Sequence, residues 1–272
     1  MTLTTTYTFH GLTIELHEDK TTTTAPHPTI AMSTTGLPIL GGGAFVDYGN
    51  GPGSLLTAAF PASATGTDWE ARAKDHGQSS PATIGVACIA VSIPPPDYTI
   101  MDATSAPAPH PDATAMLPAG YVLVGGGARA NWEGTGSLLW ASRPAAGQGW
   151  YAAAKDHVYP SPATVTAFAI GVTRSFLAAR GLTVVRFRAD SYPVVPHPGV
   201  DCRAEDGPAL VGGGAETHWQ GAGSLLTASV PVNASGTAAG PYLWTARGKD
   251  HLVADPSTIS AWGLALVSCA RD

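Results

Sequence analysis

The sequence predicts an all-β protein: a single β-prism-like domain over 1–272, built from three internal repeats closed around a pseudo-threefold axis. Three observations predict it. Gly-Gly-Gly-Ala occurs at Gly41–Ala44, Gly125–Ala128 and Gly212–Ala215, at intervals of 84 and 87 residues. Lys-Asp-His occurs at 74–76, 155–157 and 249–251, each time with a Trp (Trp69, Trp150, Trp244) five residues before the Lys. The 32 Gly and 23 Pro suit turns between short strands and leave no long runs of strong helix formers. A fixed period of this kind governs the architecture, and the repeats run at about 11–95, 96–179 and 180–272.

Each repeat reads as five short strands. A β-branched opening (Leu12–Leu16, Tyr98–Met101, Leu182–Phe187) precedes a Pro-His-Pro turn at 26–28, 109–111 and 196–198. The second strand runs into the Gly triplet (Ile39-Leu40, Val122–Val124, Leu210-Val211). The third carries Gly-Ser-Leu-Leu at 53–56, 136–139 and 223–226. The fourth starts at the Trp. The fifth follows a closing Pro-x-Thr (Ile84–Val91, Val165–Val172, Ile259–Val267). Pro flanks these strands, as its missing ladder donor requires. In the fourth strand, alternation puts Trp69, Ala71, Ala73 and Asp75 on one face, and Glu70, Arg72, Lys74 and His76 on the other. The expectation is a Trp-plus-small-residue face turned inward, with Lys and His pointing outward. Units of about 85 residues bury little alone, which favours one closed arrangement over three beads on a string. A β-trefoil unit is only about half this long.

Charge and composition exclude several functions. Fourteen basic against twenty acidic residues give a net charge of −6, the wrong sign for a nucleic-acid or anionic-membrane binder acting through bulk electrostatics. No run of about 18 uncharged apolar residues is present to span a bilayer. Cys88, Cys202 and Cys269 lack CxxC spacing and do not make a disulfide framework. Met1–Tyr7 has neither a basic nor an apolar signal-peptide region, so the chain is expected in the cytoplasm or released by a non-standard route.

Residues kept in triplicate suggest three equal binding sites, one site on the axis, or a requirement of the fold, whereas a catalytic centre needs one asymmetric cluster. The Gly triplets are read as structural, allowing close backbone approach. Lys74, Asp75, His76, Lys155, Asp156, His157, Lys249, Asp250 and His251 are candidate ligand-binding residues, because a strand end has no generic need for three polar residues of fixed identity. Asp47-Tyr48, Asn131-Trp132 and His218-Trp219, ahead of Gly-rich loops, join them: an aromatic ring beside a hydrogen-bonding side chain suits a sugar. Among cofactors only a divalent metal ion is left open, on His27, His110 and His197 of the Pro-His-Pro turns with Asp75, Asp156 and Asp250. Ser54, Ser137 and Ser224 stand beside Gly, but no Gly-x-Ser-x-Gly is present to mark a nucleophile.

Taken together, the Gly-Gly-Gly-Ala, Trp-x-Gly-x-Gly-Ser-Leu-Leu-x-Ala-Ser-x-Pro, Trp-x-Ala-x-x-Lys-Asp-His and Ala-Ile-Gly-Val pattern resembles repeats of bacterial secreted or surface-acting proteins. It is similar in particular to the threefold β-prism-like C-terminal targeting domain of bacterial insecticidal proteins of the perforin type. The resemblance spans about Leu12 to Val267, with two departures: Tyr48 stands where the other copies have Trp, and the third copy has a longer Pro231–Trp244 loop. It implies a lectin-like module that recognises a glycan or cell-surface receptor and is not an enzyme. The pore-forming domain those toxins carry has no room in this chain. A His-ligated metal-dependent enzyme and a non-catalytic structural or assembly protein are the alternatives, and oligomerisation is left open.

Overall fold

The computed structural model describes residues 2–49, 51–204, 208–233 and 242–269. The first repeat supplies β1 (Leu3–Phe9), β2 (Leu12–Lys20), β3 (Thr29–Ser33), β4 (Ile39–Asp47), β5 (Leu55–Pro61), β6 (Asp68–Lys74) and β7 (Thr83–Val91). The second supplies β8 (Tyr98–Thr104), β9 (Asp112–Met116), β10 (Tyr121–Asn131), β11 (Leu138–Pro144), β12 (Gly149–Lys155) and β13 (Thr164–Thr173). After a short helix, α1 (Arg174–Ala179), come β14 (Leu182–Asp190), β15 (Gly199–Arg203), β16 (Ala209–Thr217), β17 (Leu225–Asn233), β18 (Tyr242–Lys249) and β19 (Ile259–Ser268).

All five expected strands form in each repeat. A sixth, β3, β9 or β15, lies just past the Pro-His-Pro turn; these five-residue edge strands are mostly exposed, so they carry little hydrophobic signal. β1 has no counterpart in the later repeats and folds back on β2 as a hairpin. The segment 234–241 of the long third-repeat loop lies outside the described residues.

The strands form three antiparallel sheets, ordered β1-β2-β7-β4-β17-β18-β15, β3-β6-β5-β10-β13-β8 and β14-β19-β16-β11-β12-β9. Each sheet joins two repeats. The opening, Gly-triplet and closing strands of one repeat pair with the Leu-Leu, Trp and edge strands of another. The halves meet at only two residue pairs per sheet, such as Ala44 with Ser229 and Ala128 with Ala59. The exchange is cyclic. Repeat 1 lends its half-sheet to repeat 2, repeat 2 to repeat 3, and repeat 3 to repeat 1.

The Gly triplets make this possible, and each of their three positions has its own task. A Cβ on Gly125 would lie 1.9 Å from the Leu40 carbonyl oxygen, and one on Gly41 2.5 Å from the Gly212 Cα, so first positions are where the three sheets touch backbone to backbone. A Cβ at the second position would strike the indole of the same repeat: Gly42 against Trp69, Gly126 against Trp150 and Gly213 against Trp244. At the third position it would meet the partner strand's backbone across the junction of the half-sheets, as Gly127 against the Ala59 carbonyl. The inward face of the fourth strand is as expected: Trp69, Ala71 and Ala73 are buried, as are Trp150, Ala152 and Ala154. Leu55, Leu138 and Leu225, one from each repeat, form a small cluster of their own.

Candidate functional site

The Pro-His-Pro turn and the Lys-Asp-His strand end form one unit through their backbones. The N–H of Asp75 donates to the Pro26 carbonyl at 2.8 Å and that of Ala73 to the Pro28 carbonyl at 3.0 Å. The same two bonds recur as Asp156 to Pro109 and Ala154 to Pro111, and as Asp250 to Pro196 and Gly248 to Pro198. Pro presents a carbonyl with a preset φ, so the intervening His has a fixed position. His27, His110 and His197 are all exposed on this frame, and the Pro after each is buried.

Lys74, Lys155 and Lys249 end their strands almost fully buried, at 1–2 % exposure. This corrects the expectation that the Lys and His of the outward face are open to a ligand. The Gly-rich loop of the next repeat folds over the strand end and closes on the ammonium. Lys74 Nζ donates to the carbonyls of Gly134, Thr135 and Gly136 at 3.0, 2.7 and 2.7 Å, and lies 3.9 Å above the Trp132 ring. Lys155 donates to Gly223 at 2.6 Å and sits 3.7 Å above Trp219; Lys249 sits 4.0 Å above Tyr48. Backbone carbonyls thus replace water around Lys74 and Lys155, and an aromatic face covers all three cations. Burial still pulls the ammonium down, to about 8 for Lys74 and Lys249 and about 7 for Lys155.

The three His of these motifs are equally buried and converge, with ring centroids 5.1–5.4 Å apart. Two bonds link the cluster: His157 Nε2 meets the His251 carbonyl at 2.5 Å and His251 Nε2 meets the His76 carbonyl at 2.7 Å, while both ring nitrogens of His76 are buried without a partner. Burial, then the neighbouring His, lowers His76 to about 4, and burial lowers His157 and His251 as well. The turns beyond these His hold Val158 and Leu252 at φ of 63° and 60°, so that with Tyr159 and Val253 they form an exposed apolar crown.

Between the two buried groups lies the Asp. Each caps the following turn by accepting from a backbone N–H: Asp75 from Ser80, Asp156 from Ser161 and Asp250 from Asp255. The second oxygen is the one left over. In Asp75 it lies 3.6 Å from His27 Nδ1; in Asp156 and Asp250 it is buried with no hydrogen-bond partner. His27 also packs at 5.4 Å against Trp132, and His110 at 5.5 Å against Trp219. A cleft of 390 Å³ opens here, lined by His27, Asp75, Gln78, Ser79, Trp132 and Thr135 among others.

Sequence proximity misleads about which aromatic belongs to which Asp. Trp132 and Trp219 join the turn His of the preceding repeat, and Tyr48 joins its Lys249, because the strand exchange brings neighbouring repeats edge to edge. The residues before those aromatics face elsewhere: Asn131 is tied to Thr164 and Thr166, His218 to Ser260, and Asp47 to Lys20. Ser54, Ser137 and Ser224 are fully buried. Among the described residues, no group of three His, Cys, Asp or Glu side chains is placed to hold a metal ion, and no helix is long and apolar enough to cross a membrane. Comparison with protein-family models and with curated proteins finds no match for this chain.

Proposed function

We propose that the chain is a lectin-like binding protein of β-prism type. In this reading its three repeats are arranged about a pseudo-threefold axis, and up to three quasi-equivalent sites recognise a glycan on a cell surface. One observation carries it: each rigid Pro-His-Pro turn, bonded to the Asp-bearing strand end, presents an exposed His, which lies 3.6 Å from the carboxylate at Asp75 and, at two of the three junctions, packs against the indole of the next repeat. A sugar hydroxyl can donate to or accept from the exposed imidazole. The indole walls the site. Because Lys already covers one of its faces, it contributes contact area more than free stacking. Weak single sites of this sort gain by simultaneous engagement of a repeated surface ligand.

The test is a glycan array followed by calorimetry on the hits, comparing the parent with the triple variant His27→Ala, His110→Ala, His197→Ala. All three side chains are exposed, so the variant should keep its fold, checked by circular dichroism, while losing at least tenfold in affinity. No glycan bound by the parent, or an unchanged affinity in the variant, rejects the proposal.

A further inference from the structure

The three junctions between half-sheets share one backbone plan, yet their outer faces differ chemically. Just past the crossing, the second repeat's junction with the first sets Arg129 over the Phe60 ring at 5.1 Å, with Arg72 also facing that ring at 5.8 Å. The third repeat's junction with the second pairs Arg143 with Glu216 at 2.9 Å, and Arg143 also lies over Tyr151 and Trp262. Register places Phe45 and Val230 at the corresponding positions of the junction between repeats 3 and 1. Here the floor is apolar.

The aromatic of this junction is Tyr48, the one departure from Trp. Trp132 and Trp219 reach their Pro-His-Pro imidazoles; among the described residues, Tyr48 makes no ring contact with His197. Between them a cleft of 480 Å³ opens, running from His197, Pro198 and Tyr48 down to Phe45, Val230 and Val232. That volume is within the usual range for a small-molecule site, roughly 300–1,000 Å³. Its charged neighbours are already compensated: Arg247 pairs with Asp201 at 2.9 Å and Asp47 with Lys20 at 2.6 Å. The cleft therefore offers a polar mouth (His197 and Tyr48), an apolar floor and, among its described lining residues, no unpaired charge.

We propose that this cleft is a binding site distinct in kind from the other two junctions, and that it takes a neutral glycoside carrying an apolar aglycone, with the sugar at His197 and Tyr48 and the aglycone on Phe45, Val230 and Val232. The sugar half rests on the function proposed above; the apolar half rests on the cleft alone.

Octyl β-glucoside below its micellar concentration, methyl β-glucoside and octyl tri(ethylene glycol) separate the two. Calorimetry should show octyl glucoside binding at least tenfold more tightly than either other probe. Tyr48→Trp installs the side chain native at the other junctions, so it should fold normally while closing the mouth. Val232→Glu puts a charge on the half-buried edge of the floor. Each should weaken octyl glucoside at least tenfold, with the circular dichroism spectrum unchanged. Equal binding of octyl and methyl glucosides overturns the inference, as does parental affinity in both variants. Octyl tri(ethylene glycol) binding as tightly as octyl glucoside overturns the glycoside assignment. Array binding that the triple His variant abolishes, found together with equal octyl and methyl affinity, overturns this site while leaving the general function standing.

Discussion

A buried ammonium is costly unless its donors are satisfied, and Lys74 meets that condition with three carbonyls of a loop sixty residues further along the chain. Lys74→Met should therefore leave Gly134, Thr135 and Gly136 unpaired and cost about 2–4 kcal/mol in urea denaturation. Arg72→Met, which removes a half-exposed cation paired with Glu70, should cost under about 1 kcal/mol. The His cluster governs the acid side. His76 is held near 4 against an ordinary value of 6.5, so between those pH values the unfolded chain takes up a proton that the fold refuses. The stability is present above pH 6.5 and lost as the pH falls towards 4, to the extent of roughly 3 kcal/mol from this group. The side chains close by, His157, His251 and Lys74, disfavour its charge, while the His157 backbone favours it as the smallest of these effects. Melting temperatures measured from pH 7 to 4 should fall more steeply for the parent than for His76→Asn. The identity of these residues was plain from their triplication. Their burial was not, because what covers them is the main chain of another repeat, which leaves no mark on local alternation.

At the scale of elements, the Trp-bearing strand was fully readable, since Trp followed by small residues at period two is a one-sided pattern. The strands after the Pro-His-Pro turns were not, because exposed five-residue edge strands lack that contrast. The Gly triplet was recognised as a place of close approach but not as three different approaches. These can be told apart by substitution. Gly125→Ala would set a Cβ against the Leu40 carbonyl, backbone that cannot yield, and should cost more than about 3 kcal/mol or prevent folding. Gly120→Ala has open space around it and suffers only from its φ of 91°, for about 1–2 kcal/mol. Chemical denaturation of the pair checks the ranking; equal costs would contradict the backbone contact.

At the scale of the molecule, no repeat owns a complete sheet. The first gives its Leu-Leu, Trp and edge strands to the second and receives the third's in return. That exchange was invisible in the sequence, where strands traded between neighbours read the same as strands kept at home. A fragment covering 96–179 should consequently not be a folded monomer. It should be unfolded, or should assemble with two further copies that trade half-sheets, and sedimentation of the purified fragment distinguishes these from the folded monomer that would contradict the topology.

The lysine clamp makes each repeat answerable to the next. Lys74 closes on Trp132, Lys155 on Trp219 and Lys249 on Tyr48, so each pair is split between two repeats. The three copies cannot then drift as independent duplicates. A change in one loop is felt by a lysine one repeat earlier, and Tyr48 is tolerated or not by the surroundings of Lys249. Inheritance in this chain runs along the ring: variants that restore a damaged loop should map to the preceding repeat, and related sequences should couple position 48 with 249 more tightly than with 74.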